Sequence, residues 1–339
     1  MTARLAPGAV LAVAVAGMAA AATPAVAVEY PPPSPPPRQT DGPPTGPFRT
    51  LRVCHGRRAC FPRIQDAVNE ARPGETIRVA AGTWRESVRI TGRGKRRVRL
   101  IGDPQAPGRV ILDARRPGRR LTHGVVIHGA DAVTVDGFTI RGYADDGVVA
   151  AAVRGVTLTH LAITGSGQSG LLTFGAIGAT LADLVVTGNA AAGVAITQTP
   201  PQGRVAPTTV TRLLATGNGV GLAGANARYV VLTASQLSGN GSGVVLASTA
   251  GEVPPPAEQN VITTSDILNN NLAVGSSPTP DVPSAQPGTG VLLVGAQLTT
   301  VTANRIIGNQ LAAVVEAAQP ALGAAGEPSG NELGGNEVG

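Results

Sequence analysis

The chain has 339 residues, of which 42% are hydrophobic, 14% charged and 2% aromatic. So few aromatic rings argue against base stacking, and no nucleic-acid partner is expected. Two cysteines cannot make a disulfide scaffold, and the formal net charge of +6 conceals a strong asymmetry along the chain.

Residues 1–27 read as a signal peptide. Arg4 supplies the positive start, Val10 to Ala22 the apolar core, and Ala25-Val26-Ala27 a small-x-small cleavage site. Export with cleavage is therefore expected, with a secreted, extracellular or cell-surface location and no transmembrane segment in the mature chain. Residues 28–47 contain PPPSPPPRQTDGPPTGP, which has little to bury and reads as an extended proline-rich linker.

Residues 48–122 form an N-terminal cap with irregular first coils. Cys54 and Cys60 stand close together with His55 between them, and no further ligand has metal spacing. In an exported chain this pair is expected to close a short loop as a disulfide, with no metal bound. Ile64, Ala67, Val68 and Ala71 recur at helical spacing before Arg72-Pro73-Gly74, so a short helix is expected to cover the open edge of the first coil. Short β-rich runs follow at 76–79, 87–90, 98–101 and 110–112. From Arg49 to Arg120 there are 19 basic and 6 acidic residues; from Leu121 onward there are 6 and 13. One end of the molecule should attract an anionic partner.

Residues 123–339 are regular. Gly124, Gly147, Gly170 and Gly193 stand 23 residues apart, and Gly221, Gly243 and Gly290 continue the series across insertions. Val125, Val148, Leu171, Val194, Leu222, Val244 and Val291 follow these glycines, and Asn189, Asn218, Asn240, Asn270 and Asn309 share one turn. Self-similarity of this length marks a solenoid. Three short strands per coil, rich in β-branched residues, exclude an α-solenoid, and no leucine consensus supports a leucine-rich repeat. The fold class is therefore all-β: a single-stranded right-handed parallel β-helix of about 23 residues per coil, on the order of 45 to 50 Å long at about 4.8 Å per rung. The asparagines should form a ladder, each accepting left-handed geometry.

The run Ile64-Gln65-Asp66-Ala67-Val68, then Arg72-Pro73-Gly74-Glu75-Thr76-Ile77, then Ala81-Gly82-Thr83-Trp84-Arg85-Glu86, followed by glycine-led coils, resembles the opening of right-handed parallel β-helix proteins of the pectin-lyase-like superfamily. The resemblance covers the chain from about Cys54 to its end. It implies the fold and leaves the activity open, since the superfamily includes lyases, glycosidases, epimerases and tailspike-like binders.

The period places His123 one coil from Asp146 with Asp145 beside it, a set suited to acid–base work on a glycosidic bond. His123, Asp145 and Asp146 are the candidate catalytic residues. Adjacent aspartates also resemble the polygalacturonase-like glycosidases, although the accompanying Asn-Thr-Asp and Arg-x-Lys motifs are missing. Arg115 and Arg120 in Arg115-x-Pro117-x-x-Arg120 resemble a pectate-lyase arginine motif. With Tyr143 and Trp84 as sugar-stacking rings, they are the candidate substrate-binding residues. No resident cofactor is expected; a lyase would add Ca2+. Insertions at 198–207, 250–259 and 317–330 interrupt one turn, and 275–289 lengthens another, forming a wall along the flank.

The leading expectation is a secreted β-helix that binds polysaccharide or another anionic envelope polymer along its side. The alternatives are a polysaccharide lyase or glycoside hydrolase acting on acidic polysaccharide, and a non-enzymatic structural surface protein. The sequence leaves the oligomeric state open.

Overall fold

The computed structural model describes residues 45–339 except 57–59, 117–118, 202–205, 251–252, 254 and 274–285. The signal-peptide reading and most of the proline-rich linker lie outside the described residues. Among the rest, Cys54 and Cys60 are joined as a disulfide with Cα atoms 5.6 Å apart. No described helix is long and apolar enough to cross a membrane.

The helix Ile64–Glu70 caps the first coil and buries Ile64, Ala67 and Val68. Its own N-cap, Arg63, offers no side-chain bond. Instead the Glu86 carboxylate accepts the backbone N–H groups of Ile64 and Gln65, each at 3.0 Å, and so satisfies two orphan donors at the positive end of the helix.

Each coil then contributes one strand to a nine-stranded parallel sheet and the rest to a 16-stranded sheet. In the smaller sheet, Val125–His128, Val148–Ala151 and Leu171–Phe174 pair in a register of one period: Val125 opposite Val148, Val148 opposite Leu171, and Leu171 opposite Val194. Insertions leave that register intact, because Val244 lies opposite Val291 despite the long excursion between them. The larger sheet departs from the expected three separate strands. The second and third runs fuse into one bent strand in Thr134–Arg141, Thr157–Thr164, Thr180–Thr187 and Thr208–Thr216, and separate again only in later coils. The larger sheet passes through eleven successive rungs, about 48 Å at the parallel-strand spacing.

Two local features hold the coil outline. At the corner entering the smaller sheet, a Cβ on Gly221 would lie 2.7 Å from the Gly243 carbonyl oxygen and 2.8 Å from Leu237, so only glycine fits. At the same turn Asn189 donates to Asn218 (2.8 Å), Asn218 to Asn240 (3.0 Å), Asn240 to Asn270 (3.0 Å) and Asn270 to Asn309 (3.1 Å). The ladder forms as expected. The left-handed geometry falls on the preceding residue instead, as at Gly188 (φ 62°), Gly217 (φ 67°) and Gly239 (φ 65°).

Candidate functional site

His123, Tyr143, Asp145, Asp146 and Arg120 meet at the turn that leads from the larger sheet into the second and third rungs of the smaller one, whereas Trp84 and Arg115 do not. Residues Arg115 and Arg120 pair across a short antiparallel hairpin inserted ahead of this turn. Arg120 grips the turn by donating to the carbonyl oxygens of Gly142 (2.8 Å), Tyr143 (3.0 Å) and Gly165 (3.2 Å). Arg115 instead closes on Asp113 through Nε at 3.1 Å and Nη2 at 3.0 Å, and Arg141 bonds the same carboxylate at 2.9 Å. The Arg115 hydrogen bond, with help from Arg141, holds the Asp113 carboxyl well below the ordinary carboxylate range, despite its burial. Arg115 is thus committed to an ion pair, and Pro117 of its motif lies outside the described residues.

His123 stands between the two aspartates. Its Nδ1 is 3.5 Å from Asp146 Oδ2 and its Nε2 is 3.9 Å from Asp145 Oδ2. Asp146 is buried, and its Oδ1 accepts the Ser169 backbone N–H at 3.0 Å, one coil further on. The Asp146 backbone N–H donates to His123 Nδ1 at 3.4 Å, so it is the main chain of Asp146 that orients the imidazole. Asp145 keeps 23% of its side chain exposed. Burial pushes its carboxyl above the ordinary range, His123 pulls it back, and Asp146 raises it again. At 3.9 Å the His123–Asp145 pair is beyond direct hydrogen-bond reach, and a proton would pass between them only through one bridging water. Asp145 and Asp146 are the carboxylates at this turn, and Asp146 is already occupied. Among the described residues no group of three or more metal-binding side chains is assembled. At this turn the described side chains offer Ca2+ two carboxylates, one of them already hydrogen-bonded to Ser169.

Two aromatic candidates are corrected. Tyr143 is fully buried and its hydroxyl donates to the Glu86 carbonyl at 2.8 Å. It occupies the column of the asparagine ladder, following Gly142 as Asn189 follows Gly188, and therefore points inward. Trp84 is 2% exposed, stacks on His55 at 4.0 Å and donates Nε1 to the Ala80 carbonyl. Neither ring presents a face for a sugar.

The insertion wall lies elsewhere. The insertions after Ala192–Thr197, Ser242–Ala247 and Ala312–Ala317 leave from the far ends of the smaller sheet's strands, several rungs from His123. Residues 274–285 of the fourth insertion lie outside the described residues.

Sequence reasoning missed a polar ladder at the bend of the larger sheet. His160 Nδ1 meets Asp136 Oδ1 at 2.8 Å, His160 Nε2 lies 3.7 Å from Asp183, and Arg212 clamps Asp183 through two bonds of 2.6 and 2.7 Å. Its signal was the spacing of His160 and Asp183, one period apart; the insertion before Arg212 hid the third member. These side chains are solvent-facing ion pairs with modest energetic weight.

The basic end is the remaining feature. Arg52, Arg78, Arg89, Arg93, Arg97 and Arg99 are all exposed around the first coils. Arg52 lies directly opposite Arg78 on the next rung.

The family profile described as "Right handed beta helix region" matches residues 123–337. No curated protein sequence matches the chain. Among solved structures, the A-module of the Azotobacter vinelandii mannuronan C-5 epimerase AlgE6 is similar with a TM-score of 0.58 at 16% identity, over 81% of this chain and 80% of that one. Pectate lyase Pel9A is similar with a TM-score of 0.51 at 15% identity, over 76% and 71%. The enzymatically active domain of bacteriophage CBA120 tailspike protein 2 gives a TM-score of 0.52 at 12% identity, over 81% of this chain but 43% of that one. At such identities the likeness is one of fold. With nine rungs of parallel strand in common register and a matching profile over most of its length, the chain belongs to the right-handed β-helix family.

Proposed function

We propose that the chain is an exported polysaccharide-binding β-helix that takes an anionic polymer along its flank at the arginine-rich first coils. The observation that carries this reading is the stacking of Arg52 on Arg78, two like charges held one rung apart, about 4.8 Å. Like charges directly opposite each other destabilise a sheet, and a polyanion laid across them removes that repulsion. Arg99 extends the patch to the following rung, opposite Thr76. The Cys54–Cys60 disulfide supports an oxidising, exported setting. Fold neighbours named for mannuronan and pectate support a polysaccharide as the partner.

The test is affinity for polygalacturonate and alginate at low and high ionic strength, with dextran as the uncharged control. Binding to the acidic polymers should fall steeply with salt, and the Arg52→Ala/Arg78→Ala double variant should bind about tenfold more weakly, a difference of about 1.4 kcal/mol. Absence of affinity at low salt, or an unchanged double variant, refutes the reading.

A second reading, lyase or hydrolase, draws on the His123–Asp145 pair and its raised carboxyl. It predicts unsaturated products or new reducing ends from uronate polymers that disappear in His123→Ala and Asp145→Asn. Product formation unaffected by both variants, or no product at all, removes it. A protein that is purely structural would show neither binding nor products.

A further inference from the structure

The bend of the larger sheet is built differently in its middle and its last coils. His160, Asp183 and Arg212 interlock there through their ion pairs. From the next rung on, the same column holds Ala234, Thr264, Ala303 and Gly335, and the bend opens into a trough. Its two stretches, of about 430 and about 270 Å³, share Thr264 and Asp266 and so form one cleft that runs along the rod from Arg212 to Glu337. One wall is the outward column just beyond the bend, where Leu214, Gln236, Asp266, Arg305 and Glu337 stand opposite one another rung by rung. Four of these five side chains are exposed, and Asp266 keeps 42% of its side chain in solvent.

We propose that this trough is a second binding site, for an extended neutral β-1,4-linked hexose chain lying along the rod axis. Charge decides the class of ligand. Asp183 already neutralises Arg212 through two hydrogen bonds, Asp266 and Arg305 lie 3.5 Å apart and cancel, and Glu337 adds a carboxylate. The trough therefore has no excess positive charge to hold a polyanion. Its wall suits hydroxyl groups instead. Asp266 and Glu337 accept hydrogen bonds, Arg305 donates and Gln236 does both, and a sugar hydroxyl answers each of them because it is donor and acceptor at once. Leu214, exposed at one end of the trough, offers an apolar surface to the C–H face of a ring. The pitch fits as well. The wall residues cover about 19 Å at about 4.8 Å per rung, and an extended β-1,4-linked chain advances by nearly the rung spacing with each sugar, so successive rings meet successive side chains. A cleft of this size with a few placed polar groups is the ordinary form of a small-ligand site. The trough occupies the last five rungs of the larger sheet, whereas Arg52, Arg78 and Arg99 lie on the first three, so the two binding sites are separate.

Titration calorimetry of the protein with cellohexaose and β-1,4-mannohexaose tests this site, with dextran, whose α-1,6-linked chain does not extend in this way, as control. At least one of the two hexaoses should bind saturably, dextran should not, and the affinity should change less than about twofold between low and high salt. The Gln236→Ala/Asp266→Ala variant should bind about tenfold more weakly, and Ala234→Trp, which fills the trough, should abolish binding. Arg52→Ala/Arg78→Ala should leave it unchanged. The first variant alters only solvent-facing side chains and should keep the circular dichroism spectrum of the parent, so its binding remains informative even where Ala234→Trp disturbs the bend. No saturable binding of either hexaose up to about 10 mM overturns the proposal. So do equal binding of dextran, an affinity untouched by the Gln236→Ala/Asp266→Ala variant, and binding that falls steeply with salt and disappears with Arg52 and Arg78.

Discussion

In the larger sheet, strands such as Thr134–Arg141 and Thr157–Thr164 alternate buried and solvent-facing residues, whereas Ala192–Thr197, Val220–Ala225 and Ser242–Ala247 of the smaller sheet are buried throughout. Both sheets pass through the same coils and share one interior. The interior therefore fixes only half of each strand, and the outer half records what each surface must meet. The turns differ in the same way. The bend of the larger sheet accepts His160, Asp183, Arg212, Ala234, Thr264 and Ala303, all with positive φ. The corner that enters the smaller sheet carries glycine at 124, 147, 170, 193, 221, 243 and 290. One position is restricted by backbone conformation and open space, the other by the absence of space.

The largest effect should come from breaking the restricted corner. Gly221→Val drives a side chain against the Gly243 carbonyl and is expected to cost on the order of 3 to 5 kcal/mol in urea unfolding. Next, a charge on the two outer faces should separate them. Val245→Asp is expected to cost about 3 kcal/mol, against less than about 0.5 kcal/mol for Thr211→Asp on the larger sheet. Equal costs would erase the distinction. Asn240→Ala breaks the ladder in the middle, leaving the Asn218 amide and backbone N–H without their shared acceptor, and should cost about 2 kcal/mol. At the permissive bend, Ala234→Gly relieves a left-handed alanine and is expected to stabilise by up to about 1 kcal/mol.

The smallest contrast is in pH dependence. Asp113 has a folded-state pKa below its unfolded value, so its stabilisation is complete above the ordinary carboxylate range and is lost as pH falls through the folded value. Asp113→Asn should flatten the acid side of the stability curve. Asp145 runs the other way. Its raised pKa costs stability at neutral pH, so Asp145→Asn should stabilise slightly there and lose that advantage on acidification.

The corner glycines, the inward column after them and the asparagine ladder were legible in the sequence because each recurs at the period and each is forced by local packing. The meeting of His123 with Asp145 and Asp146 followed from the same arithmetic. Tyr143 was misread because its ring chemistry was weighed ahead of its place in the ladder column, which points inward whatever residue fills it. Trp84 lies before the regular coils, where no period assigns a direction. The bend ladder escaped because an insertion shifts Arg212 away from His160 and Asp183. The apolar outer face was written in Val126, Val149, Leu172 and Ala195, two residues after each glycine, but a buried outer face cannot be told from an exposed one by periodicity alone.

Spin-label distances along the outer column of the larger sheet test the stacked-rung account most directly. Cysteine labels replacing Thr159 and Thr302 lie five rungs apart through Ala182, Thr211, Thr233 and Thr263. They should be separated by about 24 Å, and labels replacing Thr159 and Thr233 by about 14 Å. Distances that rise by one rung per coil, whatever the length of the insertions, are the predicted result. Distances that instead grow with the number of residues between the labels would contradict the parallel β-helix itself.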